Sequence, residues 1–597
     1  YINIFLIMAL QRPTNFVTEL SNFENSVQTI NENINDIHSS LVKSATPLVA
    51  TKPSGKNNYQ LNCAKQVRYN SAIQLNGDFN NQTSIDEHFY DRRVYYDTDT
   101  KTEYYPYMFS KTLEHDVVTG FAKKADVEKI IIAYKTADQD TLDNIPTSTT
   151  SIRKLAGVAA AQSFNLMGTD SSVPHTPSSS YNPVDGEAHM FEMMEVYSMA
   201  LLRDTTFRDM EQLSETNVHL VSLNNYTEKT TAPNVAGTIT AKTLLRGSAV
   251  GETIGPYISQ FLYLSYNYGN ITVDQKYAIE NDYGGSVTHS GWLAIQNGNV
   301  EASVVKTAAK YAHTPRVLGS MVHNDPLYQF YYQACLIANK NGMSPSGFTH
   351  TKTSDWTSAG KPDVLAAVAH VSLGALRTAW NNKWGCGMKI RPEVMAQRIE
   401  LALNTPEGLD VDRIPGFDDI KTNAELAPLL LDAVNAANGN DSLYLKLLFP
   451  EGSPTHPSWP AGHACVAGAC VTVLKAMCKT HDESYNRLTW PAVVKHSIDG
   501  DTLVDYPVGE TTGMTIIGEL HKLVSNVSLG RGFAGVHYRC DSVCGIKIGE
   551  QYAITYLVDK CKEYHESYSG LFTGFVLEKY DGNIIRITHE GTVAIST

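Results

Sequence analysis

Apolar residues recur three and four apart through most of the second half of the chain, the spacing of a helix with one buried face. The pattern predicts helices over residues 187–203, 257–264, 327–339, 362–383, 393–403, 423–437, 463–479, 511–527 and 544–560. It also runs through residues 15–44, where Phe16, Leu20, Phe23, Val27, Ile30, Ile34, Ile37 and Leu41 predict a long helix, packed on the body or given to an oligomer contact. Residues 46–150, rich in Tyr, Asn, Asp and Thr without sustained periods, read as loops and short strands wrapping a core. Residues 171–186 read as a loop. Near the end the pattern alternates, and Asp581-Gly582 marks a hairpin turn. The expected fold is mainly α, a helical bundle core with peripheral loops and small β-hairpins.

Composition changes this picture little. The chain has 597 residues, 42% hydrophobic and 18% charged, as an ordinary globular protein does. The division expected is residues 1–10 as a signal remnant or non-native start, 11–185 as the N-terminal helix with a loop-rich wrapping region, and 186–597 as the helical catalytic region. The first ten residues, YINIFLIMAL, are apolar but too short to cross a bilayer, and no other stretch is long enough, so a soluble protein without a membrane span is expected. A formal charge of −14 argues against nucleic acid as a partner. It also means that a site for an anion must gather its cations locally. Of the nine cysteines, no pair has zinc-knuckle spacing; buried thiols are the plain reading, with a disulfide or two as the alternative.

Three segments gather such cations. In KWGCGMKIRP, Lys383 precedes Arg391 by eight residues, between the end of one predicted helix and the start of the next. In HPSWPAGHACVAGAC, the residues Ala461, Gly462 and His463 open a helix, so unpaired backbone N–H groups point at whatever lies before it. In SLGRGFAGVHYRCD, Arg531 is followed by a Gly-rich link and then by His537 and Asp541, four apart on one expected helical face. A compact tetrahedral oxyanion needs several fixed donors. Lys383, Arg391 and Arg531 supply positive charge, and the arginine fork can meet two oxygens at once. The Gly462 N–H can approach closely because no side chain intervenes. One histidine is then left to bond the central atom and one to handle protons, with Asp541 able to set the tautomer of His537.

In order and spacing these segments resemble the signature shared by vanadium haloperoxidases and acid phosphatases. The stretches EMMEVYSMALLRDTTF, LRGSAVGETIGPYISQFL, HNDPLYQFYYQACLIA, SPTHPSWPAGHA, AGVHYRCD and FVLEKYDG are similar to the red-algal type of vanadium-dependent bromoperoxidase, from about residue 185 onward. The resemblance implies the haloperoxidase helical bundle and vanadate as cofactor. It implies His537 as the vanadium ligand with Asp541 behind it, and Lys383, Arg391, Ala461, Gly462 and Arg531 around the oxygens. It implies His463 as the acid/base and His456 as a second active-site histidine linked with halide. Lys383 would also polarise bound peroxide. The implied reaction is oxidation of bromide and iodide by hydrogen peroxide to a hypobromite-like species that halogenates a small organic acceptor.

The family's Pro-Ser-Gly-His is Pro-Ala-Gly-His here, so Ala461 lacks a hydroxyl expected to donate to the cofactor. A hydrogen bond to a charged group contributes about 1.5–3 kcal/mol, so a weakened site is expected, not an absent one. The resemblance further implies a homo-oligomer, up to a dodecamer, structural calcium with residues 348–363 as its candidate region, and an extracellular, cell-wall or secretory location. Two other readings compete: a phosphomonoesterase using the same pocket with His537 as nucleophile, and a non-catalytic relative that keeps the scaffold.

Overall fold

Small residues decide where the central helices cross. The computed structural model describes residues 91–595, apart from residues 164, 169–183, 230, 344–347, 349, 440–441, 491–492, 508 and 510. The expectations for residues 1–10 and 15–44, and most of the loop at 171–186, lie outside the described residues. The helices that build the site are α1 (Glu187–Leu201), α2 (Pro315–Met321), α3 (Lys361–Asn382), α4 (Pro392–Leu403), α5 (Gly462–Met477), α6 (Ile516–Phe533) and α7 (Arg539–Glu563). Helix α5 is the hub, packed against α3, α6 and α7, and of its sixteen residues only His463 is not buried.

The α5–α7 crossing is a close one. A methyl group added at Gly549 would lie 2.0 Å from the Cys465 carbonyl oxygen, and one at Gly468 would lie 2.3 Å from the Ile546 carbonyl oxygen. One at Gly545 would meet the Ala461 carbonyl at 2.9 Å. Glycine at these positions lets the two backbones touch, which brings the start of α5 against the start of α7. The Ala461 N–H donates to the Asp541 carbonyl at 2.9 Å across this contact.

The mainly α expectation holds, and the differences have local causes. Residues 257–264 form only the short 3₁₀ turn Gln260–Leu262. The Ser259 and Gln260 N–H groups are taken by Asn526 and Glu519 side chains of α6, which leaves the segment irregular. The helix expected over 423–437 is two, Phe417–Ala424 and Pro428–Asn438, because Pro428 has no N–H with which to continue the first. Helix α6 starts later than 511, where the Thr515 hydroxyl accepts from the Gly518 N–H, and runs on past Arg531. Within the stretch read as loops and short strands, Lys124–Thr136 is a helix whose Val127, Ile130, Ala133 and Tyr134 are buried. The tail forms a three-stranded antiparallel sheet of Phe575–Glu578, Ile584–Thr588 and Gly591–Ala594, with Gly582 at φ 85° in the predicted hairpin. All eight described cysteines are buried, and none of them is in a disulfide.

Candidate active site

Each sequence motif arrives at the site as a helix end. Lys383 follows the last residue of α3 in a π-helical turn, Lys383–Gly387. Arg391 is the N-cap of α4, with Pro392 at the first helical position; its guanidinium has no acceptor with which to cap the helix and reaches inward. Ala461 is the N-cap of α5, equally without a side-chain cap, and the first N–H groups of that helix have no intrahelical acceptor. Arg531 lies in the last turn of α6.

His537 corrects the sequence reading. It does not share a helical face with Asp541, because α7 begins only at Arg539, after the N-cap Tyr538. Asp541 instead reaches back from the third helical position as half of a capping box. Its Oδ2 accepts from the Tyr538 N–H at 3.1 Å, from the Ser458 hydroxyl, and faces His537 Nδ1 at 2.9 Å. With the Nδ1 proton held by the carboxylate, Nε2 is the acceptor atom of the His537 ring, and the donor facing it is Arg391 Nη1.

Around that ring the cations converge. Arg391 Nη1 is 3.0 Å from His537 Nε2, and Nη2 is 3.0 Å from His456 Nδ1. Lys383 Nζ donates to the Pro457 and Ser458 carbonyls at 2.9 and 2.8 Å. Arg531 Nη1 donates to the Val322 carbonyl at 2.6 Å, while its Nε is buried without a hydrogen-bond partner among the described residues. His456, Gly462, His463, Arg531 and His537 line one cavity of about 260 Å³, closed on its apolar side by Leu376, Trp380, Tyr331 and Val466. Lys383 and Arg391 stand behind this lining. A side chain on Gly462 would meet Trp380 at 3.2 Å and Leu376 at 3.3 Å, so glycine keeps the helix start open to the cavity.

The electrostatics of this group are one-sided. Burial, then the neighbouring Arg391, pushes the Lys383 ammonium well below the usual lysine range. Burial likewise pushes Arg391 down to about 9 and Arg531 down to about 10. The His537 and His456 rings are driven well below the ordinary histidine value by burial and then by the same cations. The carboxylates that face these three buried basic groups are Asp541, behind His537, and Asp325, in the cavity wall. An oxyanion with several acceptor oxygens meets the convergent donors and partners the orphan Arg531 Nε. The donor set therefore fits a vanadate or phosphate group.

Four contributors were not read from the sequence. Asp325 Oδ1 holds His463 Nε2 at 2.8 Å. Ser458 supports Asp541, and Trp380 packs against His456 with the ring centroids 4.6 Å apart and the planes tilted by 49°. His323 lies in the wall. The run His-Asn-Asp-Pro ahead of a helix was a usable signal for Asp325 and His323. The calcium expectation finds no support. Asp363 is already held by Lys560, the Ala359 N–H and the Tyr564 hydroxyl, and no group of three or more His, Cys, Asp or Glu gathers among the described residues.

No family model matches the chain. It is 28% identical over 493 residues to the vanadium-dependent bromoperoxidase of Corallina pilulifera, covering 73% of this chain and 80% of that protein. The chain is a homologue of the vanadium-dependent bromoperoxidases. A second such bromoperoxidase, from Ascophyllum nodosum, is 29% identical over 426 residues, covering 68% of this chain and 72% of that one. Among solved structures, the homohexameric second vanadate-dependent bromoperoxidase of Ascophyllum nodosum superposes with a TM-score of 0.77 at 23% identity. It covers 93% of this chain and 96% of its own, a likeness of fold. No described helix is long and apolar enough to cross a membrane.

Proposed function

We propose that the protein is a vanadate-dependent bromoperoxidase, oxidising bromide and iodide with hydrogen peroxide to hypohalous species that halogenate small organic acceptors. For bromide the balance is H2O2 + Br⁻ + H⁺ → HOBr + H2O. The observation that carries this reading is the His537 ring, held by Asp541 at Nδ1, with Nε2 facing the Arg391 guanidinium and with Lys383 and Arg531 nearby. In a bromoperoxidase homologue that arrangement is a ligand inside an oxyanion cradle.

Bound vanadate supplies a Lewis-acidic centre that activates peroxide toward halide. The protein's part is to hold and to move protons. His537 Nε2 would hold the vanadate, and Asp541 fixes the tautomer of the ring. Lys383, Arg391, Arg531 and the N–H groups at Gly462 neutralise the oxygens, with Lys383 polarising the peroxide oxygen. His463, anchored by Asp325 at the rim of the cavity, accepts the proton that peroxide sheds and returns one to the leaving water. His456 and Trp380 form the wall assigned to the halide. Ala461 removes one donor from this set, so the cofactor is held by the backbone and the cations. We further infer a homo-oligomer, which light scattering of the purified chain tests; a monomeric mass counts against it.

The test is bromide oxidation by metal-stripped protein, before and after orthovanadate is added, beside hydrolysis of a phosphate ester. Vanadate-dependent bromide oxidation supports the reading. Ester hydrolysis without it transfers the site to the phosphomonoesterases, and silence in both assays with vanadate bound leaves a non-catalytic relative.

A further inference from the structure

A buried row of three side chains runs along the cavity wall outside the groups already assigned. His323 Nδ1 is 2.8 Å from Glu280 Oε2, and its Nε2 is 2.9 Å from Glu451 Oε1. With a carboxylate oxygen at each end, only the doubly protonated ring donates at both. Burial opposes that charge, but the hydrogen bonds to Glu280 and Glu451 outweigh it and raise the ring above the ordinary histidine value. The ring lies flat on Phe449, with centroids 3.7 Å apart and planes 7° apart.

The same pieces hold Arg531. Its guanidinium carbon lies 5.3 Å from the centroid of the Phe449 ring. Its Nη1 donates to the carbonyl of Val322, the residue before His323. Phe449 in turn is two residues before Glu451, so the His323–Glu451 bond staples the turn that offers the carbonyl to the segment that offers the aromatic face. With Nε unpaired, Arg531 is placed by that carbonyl and that face, and its charge is attracted by Asp325 and Glu451.

We propose that His323 is a positioning residue for Arg531, its two charge-assisted hydrogen bonds holding the Val322 carbonyl and the Phe449 ring where they aim the guanidinium into the oxyanion cavity. This rests on the oxyanion reading above. It accounts for a fully engaged histidine in the wall of a cavity whose chemistry already has three others. Without the staple the long Arg531 side chain is free to leave its productive rotamer, and the anion loses a preorganised donor.

The experiment measures dissociation constants of inorganic phosphate and orthovanadate for the full-length wild type, His323→Gln, Arg531→Ala and the double variant, by titration calorimetry, with thermal unfolding as the folding control. His323→Gln is expected to weaken both anions about tenfold, and to add little on top of Arg531→Ala, because the two act through one guanidinium. Affinities within twofold of wild type, or losses that add in full, overturn the proposal. If His323→Gln does not fold, Glu451→Gln keeps an acceptor oxygen and removes the charge; a loss of about threefold, again non-additive with Arg531→Ala, supports the proposal, and unchanged binding overturns it. Bromide oxidation is scored separately. A wild type that binds both anions but leaves bromide untouched overturns the peroxidase reading and not the staple, and one that binds neither overturns both.

Discussion

His463 Nε2 lies 2.8 Å from Oδ1 of Asp325, a residue 138 positions earlier in the chain. The histidine ring is partly exposed at 28%, while the carboxylate is buried at 6%. Burial alone would raise the Asp325 carboxyl, but the charge and hydrogen bond of His463, with Arg531 beyond, pull it below the usual range. The carboxylate therefore stays ionised and fixes which ring nitrogen of His463 faces the cavity.

Asp325→Asn is thus expected to lower bromide turnover by about a hundredfold, the lower end of what a positioned acid/base contributes. Orthovanadate affinity is expected to change less, because the side chain that Asp325 bonds is His463, and not Lys383, Arg391 or His537. Steady-state turnover at saturating orthovanadate, set beside the orthovanadate dissociation constant, separates the two.

Ala461→Ser places a hydroxyl at the N-cap of α5, a position without a side-chain cap. It is expected to raise stability by about 1 kcal/mol by accepting from the first helical turn. Its proton remains available to an oxyanion, so orthovanadate binding is expected to tighten about tenfold. Urea unfolding and titration of the stripped protein check the two parts independently.

Asp541→Ala leaves the Ser458 hydroxyl, the Tyr538 N–H and His537 Nδ1 without their shared acceptor. Orthovanadate affinity is expected to fall about ten- to a hundredfold, the usual effect of losing the group behind a ligating histidine. Unchanged affinity would remove His537 from the ligand role.

The Glu280–His323–Glu451 row makes stability depend on pH. His323 is raised above its unfolded value, so its contribution is complete below about 6.5 and is lost as pH rises through the higher folded value. Glu451 is lowered despite burial, chiefly by His323, so its contribution is present above the unfolded carboxylate value and lost as pH falls through the folded one. Lys306, 3.7 Å from Glu280, with Arg153 and Arg531, which both act on Glu451, are the other charges facing the row. The stability gap between wild type and His323→Gln is therefore expected to be widest near pH 6 and to narrow by pH 9. Urea midpoints across that range measure it.

Gly549→Ala forces a methyl to within 2.0 Å of the Cys465 carbonyl and must part α5 from α7. The expected cost is about 1–3 kcal/mol of stability by chemical unfolding. Anion affinity is expected to weaken with it, since the same contact sets Ala461 against Asp541.

The helical core was legible in the sequence because a buried helix face must repeat at 3.6 residues, and α3, α4 and α5 fall within a residue or two of that reading. The cationic motifs were legible because each is local, a few residues at a helix end: Lys383 and Arg391, Ala461 to His463, Arg531 and His537. Pattern failed where side chains from elsewhere took over the backbone, as Asn526 and Glu519 do at Ser259 and Gln260. It failed too at His537, where a capping box replaced the expected shared helical face. Only the tertiary structure could choose Asp325 for His463, Ser458 for Asp541, and Glu280 with Glu451 for His323. Those partners are 138, 83, 43 and 128 residues apart in the chain. No local period encodes such separations; they are set by where the glycine-lined crossing of α5 and α7 and the turn after α2 bring the backbone together.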